Sequence, residues 1–215
     1  MEIETKYIIP DKETADRLWE DKFLAAMEES GSRESIYMKG AYFDTEDHLL
    51  SQNDIALRVR MEGDSTFATL KWSGKNEGSL HTREEINVPV SGDACFLKPD
   101  LLLFQESEIG KEVLALAKDK TLVSNIEIGV LRRRFRIDTG KTIIEVSIDN
   151  GEIVTDNGNE PICEIEFELF SGECEELKRI SEEIKMRYNL MPGEKSKYAR
   201  GLALAKNGPK SESNM

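Results

Sequence analysis

In stretch after stretch of this chain, charged and apolar residues alternate one for one. That period of two belongs to the β-strand, whose successive side chains point to opposite faces. Glu2, Glu4 and Lys6 oppose Ile3, Thr5 and Tyr7; Arg58 and Arg60 oppose Leu57, Val59 and Met61; Lys71, with Thr69, opposes Leu70 and Trp72. Arg83 and Glu85 share a face, and Arg132, Arg134 and Arg136 oppose Arg133, Phe135 and Ile137. Glu145, Ser147 and Asp149 oppose Ile144, Val146 and Ile148, while Glu164, Glu166 and Glu168 alternate with Cys163, Ile165, Phe167 and Leu169. Any one of these faces is explained by the solvated side of an antiparallel sheet. The set is not, because solvated faces mix Thr, Ser, Lys and Glu, whereas here arginines recur at i, i+2 and glutamates gather on the first and last strands. A closed barrel with a polar lumen resolves this, with charges inside and apolar residues outside beneath covering helices.

The pattern and its punctuation predict strands over about 2–9, 33–44, 55–63, 66–73, 81–90, 122–138, 142–149 and 161–170, with an Asn- and Gly-rich turn region between the last two. Asp11 is placed to cap a helix that follows the stripe Leu18, Trp19, Phe23, Leu24, Met27 and stops near Gly31. Further helical spacing covers 107–118, 173–189 and 195–206. At 215 residues the chain suits one domain, read as 1–207, followed by a polar tail at 208–215 that is expected to be disordered.

Charge narrows the function. A formal net charge of −13 argues against binding duplex nucleic acid or an anionic membrane, since both need a basic field. A local basic pocket is still allowed. No apolar run has the length of a membrane span, and the opening Met1-Glu2-Ile3-Glu4 lacks the basic and apolar regions of a signal peptide, so a cytoplasmic protein is expected. Cys95, Cys163 and Cys174 are odd in number and widely spaced, which predicts reduced thiols. A homodimer is compatible with all of this. Clustered carboxylates suit Mg²⁺ or Mn²⁺, and arginine forks with lysines suit phosphate oxygens, so one lumen is able to hold a metal–polyphosphate complex. His48 and His81 have no Cys or His close in sequence and are read as surface or hydrogen-bonding residues, with His81 near enough to Arg83 to share its face. Trp19 and Trp72 are read as packing residues.

The opening Glu2-Ile3-Glu4-Thr5-Lys6 resembles the E-x-E-x-K signature of the triphosphate tunnel metalloenzymes, the CYTH domain family. Leu57-Arg58-Val59-Arg60, Thr69-Leu70-Lys71-Trp72, Arg83-Glu84-Glu85, the arginine strand from Arg132, Asp149-Asn150-Gly151, Glu164 to Glu168 and Ser196 to Gly201 follow in the family's order, so the resemblance spans residues 2–206. It implies an α+β, mainly β fold: a closed eight-stranded antiparallel β-barrel, the triphosphate tunnel, with flanking helices. It also implies a divalent metal held by Glu2, Glu4, Glu166 and Glu168, with Glu164, Glu145 and Asp149 as further ligands or water-positioning groups. Lys6, Arg58, Arg60, Lys71, Arg83, Arg132, Arg134 and Lys197 would bind phosphoryl groups, with Arg136, Lys195 and Arg200 as weaker candidates. Lys6, Asp149, Glu166 and Glu168 are the expected catalytic set. Two alternatives stay open: Glu85 only orients Arg83, or Arg200 docks the last helix.

The middle of the chain, from Gly40 to Thr45 and from Leu80 to Glu85, is most similar to the bacterial inorganic triphosphatase branch. The implied reaction is metal-dependent hydrolysis of inorganic triphosphate to diphosphate and phosphate. Thiamine or nucleoside triphosphate hydrolysis, adenylate cyclisation, or a non-catalytic polyphosphate-binding module are the alternatives.

Overall fold

The computed structural model describes residues 1–91 and 99–206. Its strands are β1 (Glu2–Ile8), β2 (Glu34–Thr45), β3 (Ala56–Glu62), β4 (Ser65–Glu77), β5 (Leu80–Val90), β6 (Leu122–Asp138), β7 (Ile143–Thr155), β8 (Gly158–Ser171) and the two-residue β9 (Met191–Pro192). The order β5-β4-β3-β2-β6-β7-β8-β1 closes on itself because β1 also pairs with β5. All eight are antiparallel to their neighbours, so the protein is a closed eight-stranded barrel with flanking helices. β1 is the closing piece. Glu2–Thr5 pair with β5, Glu4–Ile8 pair with β8, and β9 adds to Tyr7 and Ile8.

Among the described residues the helices are α1 (Lys12–Trp19), α2 (Lys22–Ala25), α3 (Leu49–Gln52), α4 (Glu108–Leu116), α5 (Cys174–Tyr188) and α6 (Lys197–Lys206), with a 3₁₀ turn at Leu101–Phe104. The outward residues Tyr7, Phe135, Ile144, Val146, Ile165 and Phe167 are buried under Leu18, Leu24, Leu177, Ile180 and Ile184 of α1, α2 and α5. Trp19 packs edge-on against Phe135 with ring centroids 5.5 Å apart, the packing role expected of it. Around the barrel, Phe43, Leu57, Val59, Ala68 and Leu70 are covered by Leu50, Phe104 and Val113, with Trp72 against the same cluster. A third cluster lies inside one end of the barrel, where Met38, Tyr42, Ile126, Ile128 and Val130 meet Tyr198 and Leu202 of α6.

Two local expectations are corrected. The helix expected from Asp11 to near Gly31 is two helices, because the Asp21 carboxylate accepts from the amides of Phe23 and Leu24 at 2.9 Å and starts a new one. The apolar stripe survives the break, since Leu18 and Leu24 enter the same core. The Asn- and Gly-rich region after Asp149 is not a turn: β7 runs on to Thr155, and the turn is Asp156-Asn157. Gly151 passes so close to the Gly129 carbonyl that a Cβ there would collide with backbone, so this glycine serves a close strand crossing. The helix α3 and the 3₁₀ turn are each a single turn of four residues, too short to show a helical period in the sequence. Cys163 and Cys174 are free thiols. Cys95 and the tail at 208–215 lie outside the described residues.

Candidate active site

The parity of the strands carries their charged sets into the barrel, around a cavity of about 410 Å³. One wall is basic. From β3, Arg58 lies over the Tyr42 ring with its guanidinium 5.9 Å from the centroid and reaches Thr69 at 3.5 Å. Arg60 pairs with Glu62 at 3.0 Å. The Nε groups of both arginines are buried without an acceptor. Burial, and then the neighbouring Arg58 charge, bring Arg60 down to about 10. Lys71 sits between Glu2, at 2.7 and 2.8 Å, and Glu85, at 3.0 Å. Burial disfavours its charge, but Glu2 and Glu85 hold the ammonium above its ordinary range. Arg83 has one distant ion pair, Asp54 at 3.9 Å.

Opposite, Asp149, Glu164 and Glu166 bring carboxylate oxygens within 4.8 Å of one another. Lys197 inserts its ammonium among them, 2.7 Å from Asp149 and 2.8 Å from Glu166, with Glu164 its third partner. Arg132 forks onto Asp149 with two 2.7 Å bonds and reaches Glu166 at 2.6 Å. Lys6 lies 3.1 Å from Glu166, 3.3 Å from Glu4 and 3.8 Å from Glu164. Burial works against the Glu166 carboxylate, yet Lys197, Lys6 and Arg132 hold its pKa well below the usual range.

The register supplies a second acidic group, since Glu168 stands between Glu4 on β1 and Glu145 on β7. It makes no ion pair among the described residues, and burial together with the charges of Glu2 and Glu4 pushes it up to about 8. Crowded carboxylates are the donor set that a hard divalent cation takes. Glu168 beside Glu4 and Glu145 is short of counter-charge, and the oxygens of Asp149, Glu164 and Glu166, although met here by Lys197, Arg132 and Lys6, are close enough together to coordinate one, so the residues present fit such an ion.

Most of the residues expected at the site therefore meet in one lumen; a few do not. Arg136 pairs with Glu29 at 3.4 Å and lies over the ring of Phe170, which borders the cavity, without bordering it itself. Lys195 does not border it. Arg200 is spent on docking α6, donating to Glu160 at 2.6 Å, Glu164 at 2.9 Å and the Pro161 carbonyl at 2.7 Å. Glu85 holds Lys71 and Asn87 and makes no pair with Arg83, because β5 pairs it directly across from Lys71. His81 borders the cavity and its Nε2 lies 2.7 Å from the Gly193 carbonyl, whereas His48 is exposed near Asp44. Sequence reasoning missed Glu62, Tyr42 and Tyr198. Glu62 was within reach, being two residues past Arg60 on the same strand face.

A closed antiparallel barrel whose lumen carries facing basic and acidic walls defines a narrow class of protein. Residues 1–202 match the CYTH domain, and the chain belongs to that family of triphosphate tunnel metalloenzymes. It is 29% identical over 180 residues to an inorganic triphosphatase from Haemophilus influenzae, an alignment covering 80% of this chain and 47% of the relative, so the chain spans about half that protein's length. Among solved structures, it resembles a Hippeastrum protein described as a candidate adenylyl cyclase with a dominant triphosphatase activity, at 21% identity and a TM-score of 0.71 over 94% of this chain and 96% of the other. A Bacillus halodurans protein described as a candidate adenylate cyclase matches at 22% identity and a TM-score of 0.59, over 91% and 94%. These structural likenesses bear on the fold alone. No helix among the described residues is long and apolar enough to cross a membrane.

Proposed function

We propose that the protein hydrolyses inorganic triphosphate to diphosphate and phosphate with Mg²⁺ or Mn²⁺, in the cytoplasm. The observation that carries the reading is the pair of buried, acceptorless Nε groups of Arg58 and Arg60, facing a lumen whose opposite wall is carboxylate. A buried donor without an acceptor is costly, and the oxygens of a bound polyphosphate supply acceptors in number. Arg58, Arg60, Lys71, Arg83, Arg132 and Arg134 would grip the phosphoryl groups, with Lys6 and Lys197 at the junction with the acids. Glu2, Glu4, Glu166 and Glu168 would hold the cation, with Asp149 and Glu164 beside them. A divalent ion bound there supplies a coordinated water of lowered pKa and offsets phosphate charge. Glu168, Glu166 or Asp149 would accept the proton of the attacking water, and the basic wall would stabilise the charge that develops in line with it.

Inorganic triphosphate is favoured over an organic one because the two tyrosines at the inner end of the lumen stack on each other, ring centroids 4.7 Å apart, which leaves no slot between them for a base or thiazole ring. The similarity to a triphosphatase relative supports the same choice. The test is phosphate release from inorganic triphosphate, ATP and thiamine triphosphate with Mg²⁺, Mn²⁺ or chelator, for wild type and Glu4→Gln. Chelator-sensitive release from inorganic triphosphate that Glu4→Gln abolishes is expected. Cyclic AMP from ATP would replace the reading with a cyclase, and binding without turnover would replace it with a polyphosphate-binding module.

A further inference from the structure

Arg58, Arg60 and Glu62 border the lumen from successive same-face positions of β3, two guanidinium groups followed by a carboxylate. Glu62 is the last residue of its strand, facing Ser65 across the turn into β4, so it stands at the rim of the barrel. Its side chain is nonetheless only 11% exposed, because its two oxygens are divided between arginines of different strands. Oε2 takes Arg60 at 3.0 Å and Oε1 takes Arg134 at 2.8 Å. A carboxylate seated on two guanidinium groups makes the contacts that a phosphoryl group would make.

Farther from the rim the lumen is already occupied by side chains. Lys197 fills the Asp149, Glu164 and Glu166 cluster, and Tyr198 stacks on Tyr42 beside it. A bound phosphate chain that runs along the arginine row of β3 lengthens toward the rim. There it meets a fixed anion already holding the next station of the arginine row, and like charges brought together are strongly disfavoured. Deeper in, the Nε groups of Arg58 and Arg60 are buried without an acceptor, and burial, then the neighbouring Arg58 charge, works against the charge of Arg60. The row thus calls for negative charge inside and is neutralised outside.

We propose that Glu62 sets the length of the chain that the lumen accepts, admitting a triphosphate and turning away longer linear polyphosphates. The inference rests on the triphosphatase reading for its substrate class. Selectivity of this kind comes from a repulsive group placed against the competitor. Glu62→Gln keeps the shape and one acceptor while removing the charge.

Affinities for tripolyphosphate and tetrapolyphosphate are measured by calorimetry in EDTA, with Mg²⁺-dependent phosphate release read in parallel. The ratio of tetraphosphate to triphosphate affinity is expected to rise about tenfold in Glu62→Gln. Glu34→Gln, which removes another partner of Arg134, 2.5 Å away and outside the cavity, is expected to leave the ratio unchanged. Glu62→Asp, which withdraws the same charge by one methylene, is expected to move the ratio the same way by less, and serves if the Gln variant does not fold. A ratio that stays put, whether both affinities hold or both fall together, would overturn the proposal and leave Glu62 as a residue that only orients Arg60 and Arg134. The parent reading fails separately: a wild type that binds with the expected ratio but releases no phosphate loses the hydrolysis and keeps the length selection.

Discussion

In the lumen, burial works against the charges of both Arg60 and Glu168. Arg60 is buried beside Arg58 with an unpartnered Nε. Replacing it with Met is expected to lower triphosphate turnover on the order of 10²-fold while the thermal midpoint holds or rises, since the variant loses a phosphate contact but also a strained charge. Steady-state kinetics and a circular dichroism melt check the two halves. Glu168 gives the pH dependence. Its folded-state pKa, about 8, lies above that of an ordinary carboxyl. Between the two values the folded chain binds a proton that the unfolded chain does not, so in chelator this group makes stability fall as pH rises from about 4.5 toward 8. Glu168→Gln should flatten that slope, and thermal melts at pH 5.5 and 8 in EDTA read it. At this scale the sequence was legible wherever alternation alone decides a side chain's face. For Arg200 alternation leaves helix docking and phosphate binding both open, since its partners lie 36 to 40 residues earlier in the chain, and for Glu85 it does not decide the partner, which the β4–β5 register chooses.

Among the elements, strands were read better than helices, for a physical reason. A strand's period of two survives any partner, whereas an amphipathic stripe looks the same whether one helix or two carry it, and the Asp21 cap decides only through its own hydrogen bonds. Glycine misled the reading after Asp149 because a glycine needed for a close crossing looks in sequence like one needed for a turn. The helix α6 brings Lys197 into the acidic cluster and Tyr198 onto Tyr42, so the proposed site depends on its seating. It seats through Gly201, where a Cβ would lie 2.6 Å from Ile126 Cγ2. Gly201→Val is expected to lift the helix, costing about 1–3 kcal/mol by overpacking and speeding amide exchange across 197–206. Exchange measured by mass spectrometry, with turnover alongside, checks whether the helix and the activity fail together.

For the molecule as a whole, a net charge of −13 coexists with a lumen that has a basic wall facing an acidic one, so the acidic balance that argues against nucleic acid leaves room for the proposed triphosphate site. Tripolyphosphate in chelator is expected to stabilise the protein by about 2.7 kcal/mol when its concentration is a hundred times Kd, and a thermal shift titration reads it directly. The closure of the barrel through β1 has a consequence of another kind. Its partners are Leu80–Arg83 on one side and Glu164–Glu168 on the other. On the ribosome, then, the first strand to be made must wait for nearly the whole domain before its second edge is covered, and such distant pairings form slowly. Glu2, Glu4 and Lys6 make that wait tolerable, because a strand carrying charges on one face is a poor template for aggregation. The same side chains that later face the lumen keep the unfinished chain from sticking to its neighbours.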